Sequence, residues 1–361
     1  MRRGAGRTVA LLALTSVALA AAGLAAVAPA PVLPGYRLSF PRDYGSHPAF
    51  RTEWWYATGW LRTGQGEAIG FQITFFRSRQ PEADANPSAF APRQILIAHA
   101  AISDHARGHL LKDERIARAG FGLAEAREGD TAVWIDDWRL GRDGAGYRVH
   151  VPARDFTLEL VLAPTQPPLL NGAAGFSRKG AAALAASYYY SVPHLAVRGE
   201  LVREGRRSAV SGEAWLDHEW SSEALEPLAA GWDWVGINLD GGGALMAFRI
   251  RGRQGGVRWA GGTLRASDGT TRHFAPGEVE FMPRRRWRSP RTAIEYPVEW
   301  VVRAGDTVLV LEPLMDDQES DTRRTTGAIY WEGAVRARAG GREVGRGYLE
   351  LTGYGEPLVL R

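Results

Sequence analysis

The residues best suited to chemistry lie in one stretch, Gly212 to Gly242, which reads GEAWLDHEWSSEALEPLAAGWDWVGINLDGG. Trp215, Trp220, Trp232 and Trp234 are interleaved there with Asp217, His218, Glu219 and Asp233. Titratable groups set among large apolar rings lose hydration, and that loss shifts pKa values toward those useful for proton transfer. Two readings stand side by side: core tryptophans with solvated carboxylates at strand ends, or a deep aromatic pocket holding an acid or base. In an extended chain, successive side chains alternate faces. Asp217 and Glu219 therefore share one face of Gly212 to Trp220, and His218 and Trp220 share the other. The alternation does not say which face is inward.

From Tyr36 onward the chain carries short alternating runs punctuated by Gly, Asp-Gly and Pro, such as Phe71 to Phe76, Phe156 to Leu162 and Val308 to Leu311. This pattern, with 43 glycines, predicts an all-β protein of roughly eight strands per half; only Lys179 to Ser187 hints at a helical period. The halves repeat. Trp54-Trp55-Tyr56 through Leu61 parallels Trp232-Asp233-Trp234 through Leu239, and Gly212 to Trp215 parallels Gly347 to Glu350. The predicted organisation is a leader over 1–30, a first domain over 31–225 and a second over 226–361. Pro164 to Val192 is extra in the first half and reads either as a lid or as a packing arm. If each half closes as a barrel, its first and last strands must pair, since closure removes exposed edges. Glu53, on the opening strand, then becomes a neighbour of the Asp217-His218-Glu219 group.

Length and charge narrow the function classes. A chain of 361 residues suits two cores. Of its 44 basic residues, against 40 acidic, Arg2, Arg3 and Arg7 belong to the leader. The remainder is nearly neutral, so nucleic acid is not an expected partner. Arg2-Arg3, the apolar run Val9 to Val27 and Ala28-Pro29-Ala30 form a signal-peptide pattern, which predicts an exported, periplasmic or secreted protein beginning near Pro31. The same run is long enough to span a bilayer, so a retained anchor is the alternative. There is no cysteine, hence no disulfide, lipoprotein anchor or thiol nucleophile.

Three further constellations carry less weight. His99, His105, His109 and Asp104 resemble a metal set on paper, but Asp104 to Gly108 reads as a hairpin turn that splays them. Neither a metal nor a cofactor is expected. Ser221-Ser222 beside His218 and Asp217 invites a hydrolase triad, yet lacks the glycine pattern of a nucleophile elbow. Arg284 to Arg288 reads as a solvated loop, with contact to anionic lipid as its functional alternative.

His47-Pro48, Arg51-x-Glu53-Trp54-Trp55-Tyr56, Gly70-Phe71-Gln72, Phe76-Arg77, Ala98-His99-Ala100, Trp215 to Trp220 and Gly231 to Trp234 together resemble the AttH/carotenoid 1,2-hydratase-like family across nearly all of the chain after Pro34. The resemblance implies two tandem lipocalin-like β-barrels in an exported protein. Its relatives add water across a terminal C=C bond of acyclic carotenoids or act on polyketide or isoflavonoid substrates. In the hydratases a His-x-Trp unit and a Tyr-x-Asp unit carry the chemistry. His218-x-Trp220 matches the first, but Ala244 to Phe248, where the second would fall, has no Tyr-x-Asp. The expected catalytic set is Asp217, His218, Glu53, Glu219 and Asp233. The expected ligand-binding set is Trp54, Trp55, Tyr56, Gln72, His99, Tyr189, Trp220, Trp232 and Trp234. The ligand would be an elongated apolar molecule, hydrated or isomerised at a C=C bond. The alternatives are a non-catalytic carrier working with an ABC transporter or at a membrane, and a hydrolase.

Overall fold

The computed structural model describes residues 28–358. The leader sequence through Val27 lies outside the described residues. Among the described residues no helix is long and apolar enough to cross a membrane.

Two large antiparallel sheets, one from each half of the chain, form two lipocalin-like barrels in tandem. In the first, the opening strand Thr52–Thr63 pairs with both Ala68–Arg79 and the closing strand Arg206–Ser221. In the second, the opening strand Ala229–Leu239 pairs likewise with Ala244–Gly252 and the closing strand Arg342–Leu351. The pairing of first strand with last, expected from closure, is thus present twice. Among the described residues the first half contains thirteen strands rather than about eight, because short segments such as Leu169–Leu170 and Phe176–Arg178 add to the long ones. Its free edges curl together: Arg115, on the edge strand His109–Arg118, reaches the Ile135 carbonyl (3.3 Å) and lies over the Trp138 ring (4.7 Å).

Each barrel has an apolar interior. Trp55, Phe71, Ile73, Phe75, Leu216 and Trp220 fill part of the first, and Val235, Val298, Trp300 and Leu349 part of the second. A third buried cluster lies between the barrels and includes Tyr56, Trp60, Tyr189, Trp215, Trp234 and Tyr348. The strands that line this seam are therefore covered on both faces, which explains their nearly unbroken runs of large side chains.

Several local expectations change. Lys179 to Ser187 is turn and strand rather than helix, and Arg284 to Arg288 lies within the strand Val279–Arg288 rather than a loop. Arg284 and Arg285 pair with Glu299, and Arg286 with Glu295, so cross-strand ion pairs account for that basic run. The extra segment of the first half is a packed arm. Arg265 of the second barrel donates to the Pro167 and Pro168 carbonyls (both 2.9 Å), and the Arg178 guanidinium lies 5.2 Å from the Trp259 ring centre.

Candidate functional site

The closing strand of the first barrel distributes its polar residues to two places. His218 and Trp220 point into that barrel; Trp215, Asp217 and Glu219 point into the seam. Asp217 and His218, both in the expected catalytic set, face opposite directions, as alternation in an extended chain requires.

Inside the first barrel, Glu53 is fully buried and ion-paired. One oxygen accepts from His218 Nε2 (2.9 Å) and His47 Nδ1 (2.7 Å), the other from Arg77 Nε (2.8 Å) and the Ser46 hydroxyl (3.0 Å). Burial alone would raise its pKa, but the Arg77 charge and the histidine hydrogen bonds outweigh it and hold Glu53 well below the usual carboxylate range. Burial lowers the pKa of His218, so its ring is neutral: Nε2–H donates to Glu53 and Nδ1 accepts from the Tyr190 hydroxyl (3.0 Å). His47 stacks on Trp220 at 3.7 Å between centroids, and Trp55 stacks on His218 at 4.6 Å. His47, Glu53 and His218 could offer three ligand atoms to a metal within 4.8 Å of one another. Those atoms already bond each other, and the Arg77 guanidinium on the same carboxylate opposes a second cation. This network reads as a charge-balanced structural plug.

The seam is different. Asp217 Oδ1 accepts from Ser191 Oγ and Trp215 Nε1 (both 2.6 Å), and Oδ2 accepts from Tyr189 Oη (2.6 Å). Among the described residues no cation touches it. Burial outweighs the three hydrogen bonds and pushes its pKa up to about 7. Three donors fill both acceptor positions of Oδ1 and one of Oδ2, which leaves Oδ2 a direction in which to carry an acidic proton. Facing Asp217 across the seam, Glu332 and Glu350 stand directly opposite each other on the last two strands of the second barrel. Burial pushes Glu350 up to about 7 and Glu332 well above the carboxylate range, each raised further by neighbouring acids. Trp232 Nε1 donates to Glu350 (2.9 Å), and Trp234 Nε1 to the Tyr189 hydroxyl (2.9 Å). The buried Tyr56 hydroxyl faces Glu332, and their interaction adds to the raised pKa of Tyr56 while opposing the rise of Glu332.

The packed arm closes one side of the seam. Its Lys179 puts Nζ 2.8 Å from Glu219 Oε1, 4.2 Å from the Phe248 ring centre and 4.8 Å from that of Tyr189. Glu219 is thus the charge-neutralised member of the acid group.

The remaining expected residues fall as follows. Trp54, Tyr56, Tyr189, Trp232 and Trp234 lie on the seam, while Trp55 and Trp220 are interior to the first barrel. Gln72 is buried, with its amide on Thr74. His99 reaches across to the second barrel, bonded to Tyr330 Oη (2.8 Å) and Thr325 Oγ1 (2.9 Å), and burial lowers its pKa to about 3. Asp233 lies inside the second barrel, held by Arg249 (2.6 Å), Arg251 (3.2 Å) and Tyr354 (2.9 Å), not with Asp217. His105 and His109 bond main-chain carbonyls away from His99. The serines are committed to the backbone, Ser221 to the Ala186 carbonyl and Ser222 to that of Ala30 (both 2.6 Å), so they form no triad with His218. Glu332, Glu350, Arg77 and Lys179 were not among the expected site residues, although Phe76-Arg77 was part of the family resemblance.

Fold and seam together define a tandem lipocalin-like protein with a buried acid cluster between its barrels. Residues 31–354 match the model of the AttH-like family, and the chain belongs to that family. It is similar to a protein assigned as AttH from Nitrosomonas europaea, with 55% identity over 90% of this chain and 99% of that one and a TM-score of 0.85. Kievitone hydratase from Nectria haematococca shares the fold at 14% identity, over 92% of this chain and 97% of that one, with a TM-score of 0.68. CghA bound to Sch210972 does so at 13% identity, over 84% and 89%, with a TM-score of 0.51. No curated protein matches the sequence significantly.

Proposed function

We propose that this is an exported acid–base enzyme that binds an elongated apolar molecule in the seam and hydrates or isomerises a C=C bond. The observation that carries the reading is Asp217: buried, without a cation, and protonated up to about neutral pH. Protonating an alkene carbon requires an undissociated acid in a dry site. The Asp217 Oδ2–H bond breaks as a C–H bond forms, leaving a carbocation beside Asp217 carboxylate. Tyr56, Trp215 and Trp234 present ring faces and edges around it, and an indole or phenol face stabilises a desolvated cation by roughly 2 kcal/mol. In hydration, water adds to the cation and its surplus proton returns to the acid cluster; in isomerisation, a neighbouring carbon loses a proton to Asp217. Both routes regenerate the acid and need no cofactor. The fold shared with kievitone hydratase supports this reading. A carrier would need only apolar walls, whereas buried carboxyl groups cost stability and a carrier gives no reason for them.

The test uses the mature protein in D2O with the apolar molecule that co-purifies with it, or with a mixed polyene extract. Wild type should introduce deuterium into a C–H of the ligand, and Asp217→Asn should bind the same ligand without doing so. Recovery of unlabelled ligand from both would identify a carrier.

A further inference from the structure

Four strands carry the seam outward from the acid cluster in the same order. On the closing strand of the second barrel, Glu350, Tyr348 and Arg346 share a face; on its partner strand Glu332, Ala334 and Arg336 do. In the first barrel, Tyr56, Trp60 and Arg62 lie on the seam face of the opening strand, and Asp217, Trp215 and Glu213 on that of the closing strand. On three of the strands a carboxyl or phenol group gives way to an aromatic ring and then to charge; on the fourth Ala334 takes the middle place. At the outer end is a cleft of about 240 Å³ lined by Trp60, Trp215, Arg62, Arg346, Glu213 and Asn238, among others. Trp215 is shared: it walls the cleft and donates to Asp217.

The charged rim is unusual. Arg336 and Arg346 stand directly opposite each other, and both guanidinium carbons lie 5.3 Å from the Trp60 ring centre. Like charges directly opposite in a sheet repel. They share Glu343, at 2.7 Å from Arg346 Nε but 3.6 Å from Arg336 Nε, while Arg62 adds a third positive charge. Glu213, also at the cleft, is hydrogen-bonded by His194 Nδ1 at 2.5 Å, so its Oε1 is engaged away from the arginines.

We propose that the molecule bound in the seam is an amphipathic anion, its carboxylate or other acidic end held by Arg336 and Arg346 and its apolar body lying along Trp60 and Trp215. This rests on the acid-site reading above and names the substrate class. The planar donors of arginine suit a carboxylate, and the indole beneath orients them. The spacing adds a constraint. Arg346 and Glu350 are four residues apart on one strand, as are Arg336 and Glu332, so the arginine pair stands roughly 13 Å along the strands from the glutamate pair of the acid cluster.

The probe is cis-parinaric acid, a long-chain conjugated polyene carboxylate, compared with its methyl ester and followed by energy transfer from tryptophan in the mature full-length protein. The acid should bind about tenfold more tightly than the ester. In the Arg336→Gln/Arg346→Gln double variant that preference should vanish while the ester binds as before. Equal affinities for acid and ester in wild type overturn the proposal. So does no binding of either probe, or a double variant that retains the preference. Should the variant unfold, the salt dependence of the wild-type preference decides: loss of preference at high salt supports the arginine contact, and indifference to salt contradicts it. An anionic preference without deuterium incorporation in D2O would leave the binding class standing and remove the chemistry.

Discussion

Glu53 and Asp217 are both fully buried carboxylates on paired strands, yet their pKa values are pushed in opposite directions. Glu53 has Arg77 and His47 against it and stays ionised. Asp217 has three neutral donors and is pushed toward the neutral acid. Burial is common to both, so it is the partner that decides. A cation within contact distance outweighs desolvation; hydroxyl and indole hydrogen bonds do not. The first barrel's interior therefore holds a finished ion-pair network, and the seam a reserve of acid.

The largest effect should come from breaking the ionised side. Glu53→Gln leaves the Arg77 guanidinium without its buried counter-ion, and removing one partner of a buried pair costs about 3–5 kcal/mol. That is a large part of a typical domain's stability. Chemical denaturation should show the loss at neutral pH, and a change below 1 kcal/mol would mean the network is solvated.

A smaller effect, of distinct sign, should come from the seam. A group whose folded pKa is raised contributes stability that is present below its unfolded pKa of about 4 and is lost as pH rises through the folded value near 7. Wild-type stability should therefore fall between about pH 4 and pH 7 by a few kcal/mol. Glu53, with its pKa depressed, contributes in the other sense: its stabilisation is present above about pH 4 and is lost in acid. Asp217→Asn should make the neutral-pH slope shallower, the remainder coming from Glu350 and Glu332, without changing the acid limb. Denaturant midpoints across pH separate the two limbs, and an unchanged slope in the variant would show that Asp217 is not the group titrating.

Much of this contrast was legible in the sequence. Closure of the first barrel places Glu53 beside His218 across 165 residues, and strand alternation separates Asp217 from His218. The direction of each face was not legible, because both faces of the strand Arg206–Ser221 are buried over 214–221, where the polar residues lie, and apolarity marks neither as interior. Glu332 and Glu350 were obscured by register. The sequence repeat aligns Glu350 with Trp215, but the pairing of Tyr56 with Asp217 and of Trp234 with Glu350 makes Asp217 its counterpart, two residues further on. The periodicity of two hides such a slip, since both alignments keep the same face. Lys179 gave no signal, because its partner is 40 residues away on a strand that the arm meets only in three dimensions.

The protonation state of Asp217 is the quantity on which the account depends, and isotope-edited infrared spectroscopy of the intact protein reads it directly. At about pH 6 the wild type should show a protonated-carboxyl C=O band that is missing from Asp217→Asn, retained in Glu53→Gln, and lost on titration near pH 7. If the spectra of wild type and Asp217→Asn share every protonated-carboxyl band, Asp217 is an ordinary carboxylate and the seam holds no acid at that position.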